Sequence, residues 1–370
     1  MDDNWLLPDL LFDGENLCKN RALKIVDDVI EGIYPADEAP CGSPQTDGII
    51  SPGFIDLQVN GGGGVLFNDQ PTASGIEAII EAHRVFGTTS ILPTVITDAP
   101  EVMAKAADAV ISANGTAGLL GIHIEGPHIS VPRRGTHAER FVRPMDTETI
   151  ALVERLRNEG IAVMITVAPE AVTSSQIAEL ADLGAVVSIG HTDTTAEKTH
   201  EAIQAGISCA THLFNAMSPM LNRAPGVTGA VINSDIDVGI IVDGIHVADE
   251  MVALAMRARP KKESVFLVSD AMPTVGGPDK FNLYGVDVHL EKGKLVNGEG
   301  SLAGAHLTQA EGVYRLANKV GIDRAAVLRA AITVPARVLG CEDKALVQGK
   351  FARDLIRLDP DLSFKGFLEI

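Results

Sequence analysis

Aromatic side chains are scarce. One Trp, three Tyr and eleven Phe make up only 4% of a chain in which 46% of residues are hydrophobic. The core must therefore be built from Ala, Val, Ile and Leu, which suits parallel strands buried on both faces better than an exposed antiparallel sheet. Cysteine is equally sparse. Cys18, Cys41, Cys209 and Cys341 are widely spaced and form no CxxC pair, so they read neither as a disulfide framework nor as a structural zinc site. Positive charge is in deficit, with 30 basic against 49 acidic residues and a formal net charge of -19. That balance speaks against nucleic acid or an anionic membrane as partner, though a few local cations could still hold a small anionic substrate. No run of 18 apolar residues occurs, so no transmembrane helix is expected. The opening Met1-Asp2-Asp3-Asn4-Trp5 lacks the basic start and apolar stretch of a signal peptide, and the cytoplasm is the expected compartment.

What is present is an alternation. Short apolar runs at 54–59, 90–96, 119–124, 162–167, 185–189, 208–213, 238–242 and 265–268 are separated by stretches of helical character, for example 75–85, 101–111, 146–158 and 194–205. Eight strand–helix units point to an α/β fold, a closed parallel (β/α)8 barrel of the TIM type. An open doubly wound sheet is disfavoured because no GxGxxG follows the first strand. A hairpin is expected over 280–304, helices over 305–319 and 324–339, and an extended tail over 349–370. A barrel takes about 250 residues. The chain is thus divided into a barrel at 51–340 and a small β-sandwich module formed by both ends, 1–50 and 341–370.

A parallel barrel carries its chemistry beyond the C-terminal ends of its strands. There stand Gln58 and Asn60 (first run), Glu125 (third), His191 (fifth), His212 (sixth), Asp243 and His246 (seventh) and Asp270 (eighth). Any one of these could be a satisfied structural group: Glu125 could cap a loop, and Asp270 could cap a turn. Together, Glu125, His191 and His212 form a catalytic zinc-type donor set with one position open for water. A divalent ion there lowers the pKa of its water towards about 7. Asp270 is placed to take the proton and pass it on. The run Gly61–Gly64 lacks the Lys and Ser/Thr of a P-loop and reads as a turn beside the barrel mouth.

The segments Pro52-Gly53-Phe54-Ile55-Asp56, His123-Ile124-Glu125-Gly126-Pro127, Arg133-Arg134-Gly135-Thr136-His137, Gly190-His191-Thr192, Thr211-His212-Leu213-Phe214-Asn215-Ala216-Met217, Asp243-Gly244-Ile245-His246 and Leu267-Val268-Ser269-Asp270-Ala271 resemble the amidohydrolase superfamily. Within it, they resemble the family of N-acetylglucosamine-6-phosphate deacetylases. The resemblance implies hydrolysis of an N-acetyl group from the amino-sugar phosphate, releasing acetate. It implies Glu125, His191 and His212 as ligands of one divalent ion, zinc first, with Fe2+, Co2+ or Mn2+ also suited. Asp270 would be general base and acid, and His137 would polarise the acetyl carbonyl. Arg223, His246 and the Asn215-Ala216 turn would hold the sugar phosphate, with Thr136 and Leu302-Ala303-Gly304 lining the pocket. The resemblance further implies a homodimer in which Arg223 reaches the neighbouring active site.

One departure bears on the metal count. Many superfamily members carry His-x-His at the end of the first strand, where this chain has Gln58 and Asn60, and the fourth run has no Lys to form a bridging carbamate. Neutral amides are poor ligands for a zinc-type ion, so one metal is expected rather than two. Two other readings stay open: an amidohydrolase acting on another N-acyl sugar or a cyclic amide, and a catalytically silent barrel used as a binding module.

Overall fold

A computed structural model describes residues 4–297 and 302–369. Residues 298–301, within the expected 280–304 hairpin, lie outside the described residues, as do 1–3 and 370.

The apolar runs form an eight-stranded parallel sheet. We label its strands β1 (Phe54–Val59), β2 (Thr88–Ile96), β3 (Gly121–Glu125), β4 (Ala162–Val167), β5 (Val186–Ile189), β6 (Cys209–Ala210), β7 (Asp237–Ile240) and β8 (Val265–Leu267). They follow chain order around the sheet. Main-chain bonds just past β8 return to β1 and close the ring: Asp270 N to Gln58 O at 3.0 Å and Asn60 N to Ala271 O at 2.9 Å. All six residues of β1 and all five of β3 are buried, which is why these strands read as continuous runs rather than alternations.

Helices α1 (Ala73–Arg84), α2 (Pro100–Ser112), α3 (Thr147–Asn158), α4 (Ser174–Asp182), α5 (Ala196–Ala205), α6 (Gly226–Ile232), α7 (Asp249–Ala258) and α8 (Gln309–Asn318) follow the strands in turn. Their starts are written in the sequence. Thr72, Asp146, Thr173, Thr195 and Thr308 each accept a backbone N–H of the first turn, and Thr173–Gln176 and Thr308–Glu311 make full capping boxes.

Two helical stretches depart from expectation. The 305–319 helix begins only at Gln309, because Ala305 is drawn into a strand-like bridge: its N–H donates to Asp270 O (3.0 Å) and its carbonyl accepts from Met272 N (3.1 Å). The 324–339 helix is interrupted by a π-helical stretch at Arg329–Thr333, with one residue between it and Pro335, which has no N–H to continue the ladder.

Both chain ends enter one further sheet. Gln45–Pro52 pairs in parallel with Asn4–Phe12 and antiparallel with Leu355–Leu358, then leads straight into β1. Between β8 and α8, the strands Lys280–Leu283, Val286–Glu291 and Lys294–Asn297 form an antiparallel insert. The insert packs Leu283, Val288 and Leu295 onto Leu66, Ile96 and Met272 at the barrel mouth. Among the described residues, no helix is long and apolar enough to cross a membrane.

Candidate active site

Glu125 ends β3, and His191 and His212 lie just beyond β5 and β6. The three converge. Glu125 Oε1 is 3.3 Å from His191 Nε2 and 3.0 Å from His212 Nε2, and the two Nε2 atoms are 3.1 Å apart. Burial alone would raise the Glu125 pKa, but the adjoining His191 and His212 rings hold it well below the ordinary carboxylate value.

The triangle is what one ion requires. Ligands about 2.1 Å from a zinc-type centre stand roughly 3.4 Å apart at tetrahedral angles. His191 Nδ1 lies 2.8 Å from the carbonyl oxygen of Arg133, an acceptor only, so Nδ1 carries the hydrogen and Nε2 presents a lone pair. A lone pair and a carboxylate oxygen facing each other in a buried triangle repel unless a cation stands between them. The donor set and its protonation therefore fit a divalent metal, and these three residues are a group that could hold one.

The backbone is bent to achieve this. His191, His212 and Asp270 have φ of 47°, 28° and 51°, and Phe214 and Ala216 in the loop after His212 have 79° and 51°. Such conformations cost of order 1–3 kcal/mol each for non-glycine residues. They turn the side chains off the strand direction and over the barrel mouth, which is why β6 is shorter than the 208–213 run expected for it.

Asp270 faces the triangle across β1. Its Oδ1 accepts from Gln58 Nε2 (3.1 Å) and Asn60 Nδ2 (2.7 Å), while Gln58 Nε2 also reaches Glu125 Oε1 (2.9 Å). The two amides that replace a histidine pair thus act as donors to carboxylates. Burial first, then the Glu125 charge, push the Asp270 carboxyl up to about 6, so at neutral pH it is largely ionised yet more basic than an ordinary carboxylate.

His137 stands opposite. Its Nδ1 is 2.7 Å from Thr97 Oγ1, and its Nε2 is 3.9 Å from Glu125 Oε2. Burial, then His191, press its pKa down to about 3, so the ring is neutral.

These groups line one cavity of about 190 Å³. Of the substrate residues expected from the sequence, Thr136, His137, Asn215, Ala216, His246, Leu302 and Gly304 line it. His246 is held by Asp243, with Nδ1 2.6 Å from the carboxylate. Two sit elsewhere. Ala303 is fully buried and lines the adjoining cavity under the insert, and Arg223 lies on an exposed loop and lines neither cavity.

The cavity also takes in Ile96, Ile241 and Met272. Sequence reading missed these because an apolar residue at a strand end looks like any core position. His123 lies beneath the site, its Nε2 2.7 Å from Thr166 Oγ1, in a buried chain that continues through Thr211 to Ser188.

The family model described as Amidohydrolase family matches residues 49–364. The N-acetylgalactosamine-6-phosphate deacetylase of Shewanella sp. (strain ANA-3) is 39% identical over 356 residues, covering 94% of this chain and 89% of the relative. The N-acetylglucosamine-6-phosphate deacetylase of Haemophilus influenzae is 32% identical over 355 residues, covering 93% of this chain and 92% of the relative. The crystal structure of N-acetylglucosamine-6-phosphate deacetylase from Pasteurella multocida superposes with a TM-score of 0.90 at 33% identity, covering 98% of this chain and 96% of that one. With a closed eight-stranded barrel, a buried Glu–His–His triangle at its mouth and a family match spanning residues 49–364, the chain belongs to the amidohydrolase family.

Proposed function

We propose that this protein removes the acetyl group from an N-acetylhexosamine 6-phosphate, N-acetyl-D-glucosamine 6-phosphate first, giving D-glucosamine 6-phosphate and acetate. The observation that carries the reading is the Glu125–His191–His212 triangle facing Asp270 across a single cavity. The relatives that cover most of the chain are named for this reaction class. A silent binding barrel would have no need to keep four such groups together, three of them under backbone strain.

Glu125, His191 and His212 would hold one divalent ion, zinc first, with Fe2+, Co2+ or Mn2+ suited to the same donors. Bound there, the ion supplies acidification of water and polarisation of a carbonyl. Asp270 takes a proton from water as the water oxygen bonds to the acetyl carbon. It then delivers that proton to the nitrogen as the C–N bond breaks, so acetate leaves and the amine remains. Neutral His137, its Nδ1 2.7 Å from Thr97 Oγ1, presents in its Nε2–H tautomer a donor to the developing oxyanion. His246, held by Asp243, and the Asn215-Ala216 turn receive the sugar phosphate. Binding that remote group positions the amide.

Arg223, exposed and outside this chain's own cavity, is assigned to the neighbouring active site of a homodimer. The two chain ends, 1–50 and 341–370, are assigned to a module separate from the 51–340 barrel, and the enzyme to amino-sugar metabolism in the cytoplasm.

The test is acetate release from N-acetylglucosamine 6-phosphate and from its unphosphorylated form. Turnover of the phosphosugar with a far higher kcat/KM supports the reading, and equal rates would sink the phosphate anchor. A second reading, N-acetylgalactosamine 6-phosphate as the preferred substrate, is favoured by the 39% identity to the Shewanella relative against 32% to the Haemophilus one. Comparing kcat/KM for the two C4 epimers decides between them.

A further inference from the structure

Asn60 has more hydrogen-bonding capacity than the protein uses. It is 1% exposed, and its backbone is pinned on both sides, N–H to Ala271 O and carbonyl to Phe67 N, each at 2.9 Å. Its Nδ2 donates to Asp270 Oδ1 at 2.7 Å. Its Oδ1 is buried and has no hydrogen-bond partner among the described residues, although Asn60 lines the catalytic cavity. The amide orientation is fixed by chemistry: an ionised Asp270 only accepts, so the amide must turn its NH2 to Asp270 and its oxygen away. Buried acceptors are almost always satisfied, so a lone carbonyl oxygen on a residue that lines a reaction cavity marks a place where a donor binds.

We infer that Asn60 Oδ1 is the acceptor for the reacting water, resting on the proposed deacetylation. A water that attacks a carbonyl has two hydrogens. One goes to Asp270 as its O–H bond breaks and the new C–O bond forms. The other stays on oxygen and needs an acceptor, which also turns the lone pair towards the acetyl carbon. Glu125 Oε1 already faces Gln58, His191 and His212. Asn60 Oδ1 is the fully buried amide oxygen beside Asp270 that has no partner among the described residues, and its own NH2 holds the base, so base and acceptor are set by one side chain. An ordered water typically makes about three hydrogen bonds, and this pair supplies two of them. The alternative donor is the substrate N–H, which the experiment separates.

The wild type is first assayed for acetate release from the phosphosugar; no release there overturns the deacetylase reading itself and not Asn60's role. Asn60→Leu, close in shape, then removes the acceptor together with the NH2 that holds Asp270. Metal content and metal affinity, measured by competition with a chromophoric chelator, should match the wild type and show the site is built. The KM should stay close to the wild-type value while kcat falls about 100-fold. The same loss should appear on the 2-O-acetyl ester of the corresponding sugar phosphate, which has no N–H. Placed in the Asp270→Asn background, Asn60→Leu should cost about tenfold more. A loss confined to the amide substrate, no further loss in the Asp270→Asn background, or a near-normal kcat each overturns the inference. Asn60→Ser, smaller and polar, is carried in parallel through every assay.

Discussion

His191 Nδ1 lies 2.8 Å from the main-chain oxygen of Arg133, so the loop that carries Thr136 and His137 is tied directly to a residue of the Glu–His–His triangle. A second tie reinforces it. The Arg133 guanidinium pairs with Asp193 at 2.7 Å, two residues beyond His191. Glu170, in the loop after β4, accepts from Thr192 Oγ1 (2.5 Å) and Asp193 N (2.7 Å) on the other side. The His191 backbone is thus clamped in its positive-φ conformation from two loops.

Loosening that clamp should weaken the metal without unfolding the barrel. Loss of an outer-shell partner typically costs about 10–100-fold in metal affinity. The Arg133–Asp193 pair is partly exposed, so Arg133→Ala should fall near the lower end, with a melting temperature close to that of the wild type. Glu170→Gln, which keeps the shape but loses the charge, should weaken affinity more. Chelator competition on each purified variant measures both, and unchanged affinity in Glu170→Gln would detach the clamp from the metal site.

Metal stoichiometry follows from the two amides. Gln58 and Asn60 spend their NH2 groups on Glu125 and Asp270 and present no imidazole pair. One ion per chain is expected by elemental analysis. Chelation should abolish turnover and re-addition of a divalent ion restore it. A reproducible second equivalent bound at comparable affinity contradicts this.

Asp270→Asn keeps the size of the side chain but cannot take the proton. Turnover should fall about 10³-fold, with metal content and substrate binding near normal. Single-turnover kinetics and equilibrium binding of the phosphosugar check the two halves separately; near-normal turnover would take Asp270 out of its assigned role.

Asp56 offers a pH test read from folding stability rather than turnover. It is wholly buried in β1, accepting from Gln58 N and Ser269 N at 3.2 Å, and burial outweighs these bonds to push its pKa up to about 7. Its unfolded value lies near 3.9. The folded chain therefore keeps a proton that the unfolded chain has lost across that window, so Asp56's contribution to stability falls as pH rises from about 4 to about 7 and then levels off. The slope is at most about 1.4 kcal/mol per pH unit. Urea unfolding of the wild type and Asp56→Asn across this range should show the variant gaining relative stability as pH rises. A difference that does not change with pH contradicts it.

The parts of the molecule visible in the sequence share one physical cause. Strands buried on both faces are mostly apolar, so the stretches that became β1 to β5 announce themselves as runs. Helix starts need a side chain to satisfy free N–H groups, so Thr72, Asp146, Thr173, Thr195 and Thr308 mark them. The barrel then dictates where chemistry sits, and Glu125, His191, His212 and Asp270 could be picked out as polar residues at strand ends.

Other features depend on neighbours distant in the chain. That Ala305 bridges to Asp270 and Met272 instead of entering a helix is settled by hydrogen bonds across more than thirty positions. That Gln58 links Glu125 to Asp270 spans 67 and 212 positions. The residue types and their order were fixed by sequence. Which nitrogen of His191 carries its hydrogen, which end of Asn60 faces the base, and which acceptor remains free were decided only when β1, β3, β5 and β8 closed into a ring. Hydrogen bonds are short and directional, so they exist only between atoms that folding has brought together.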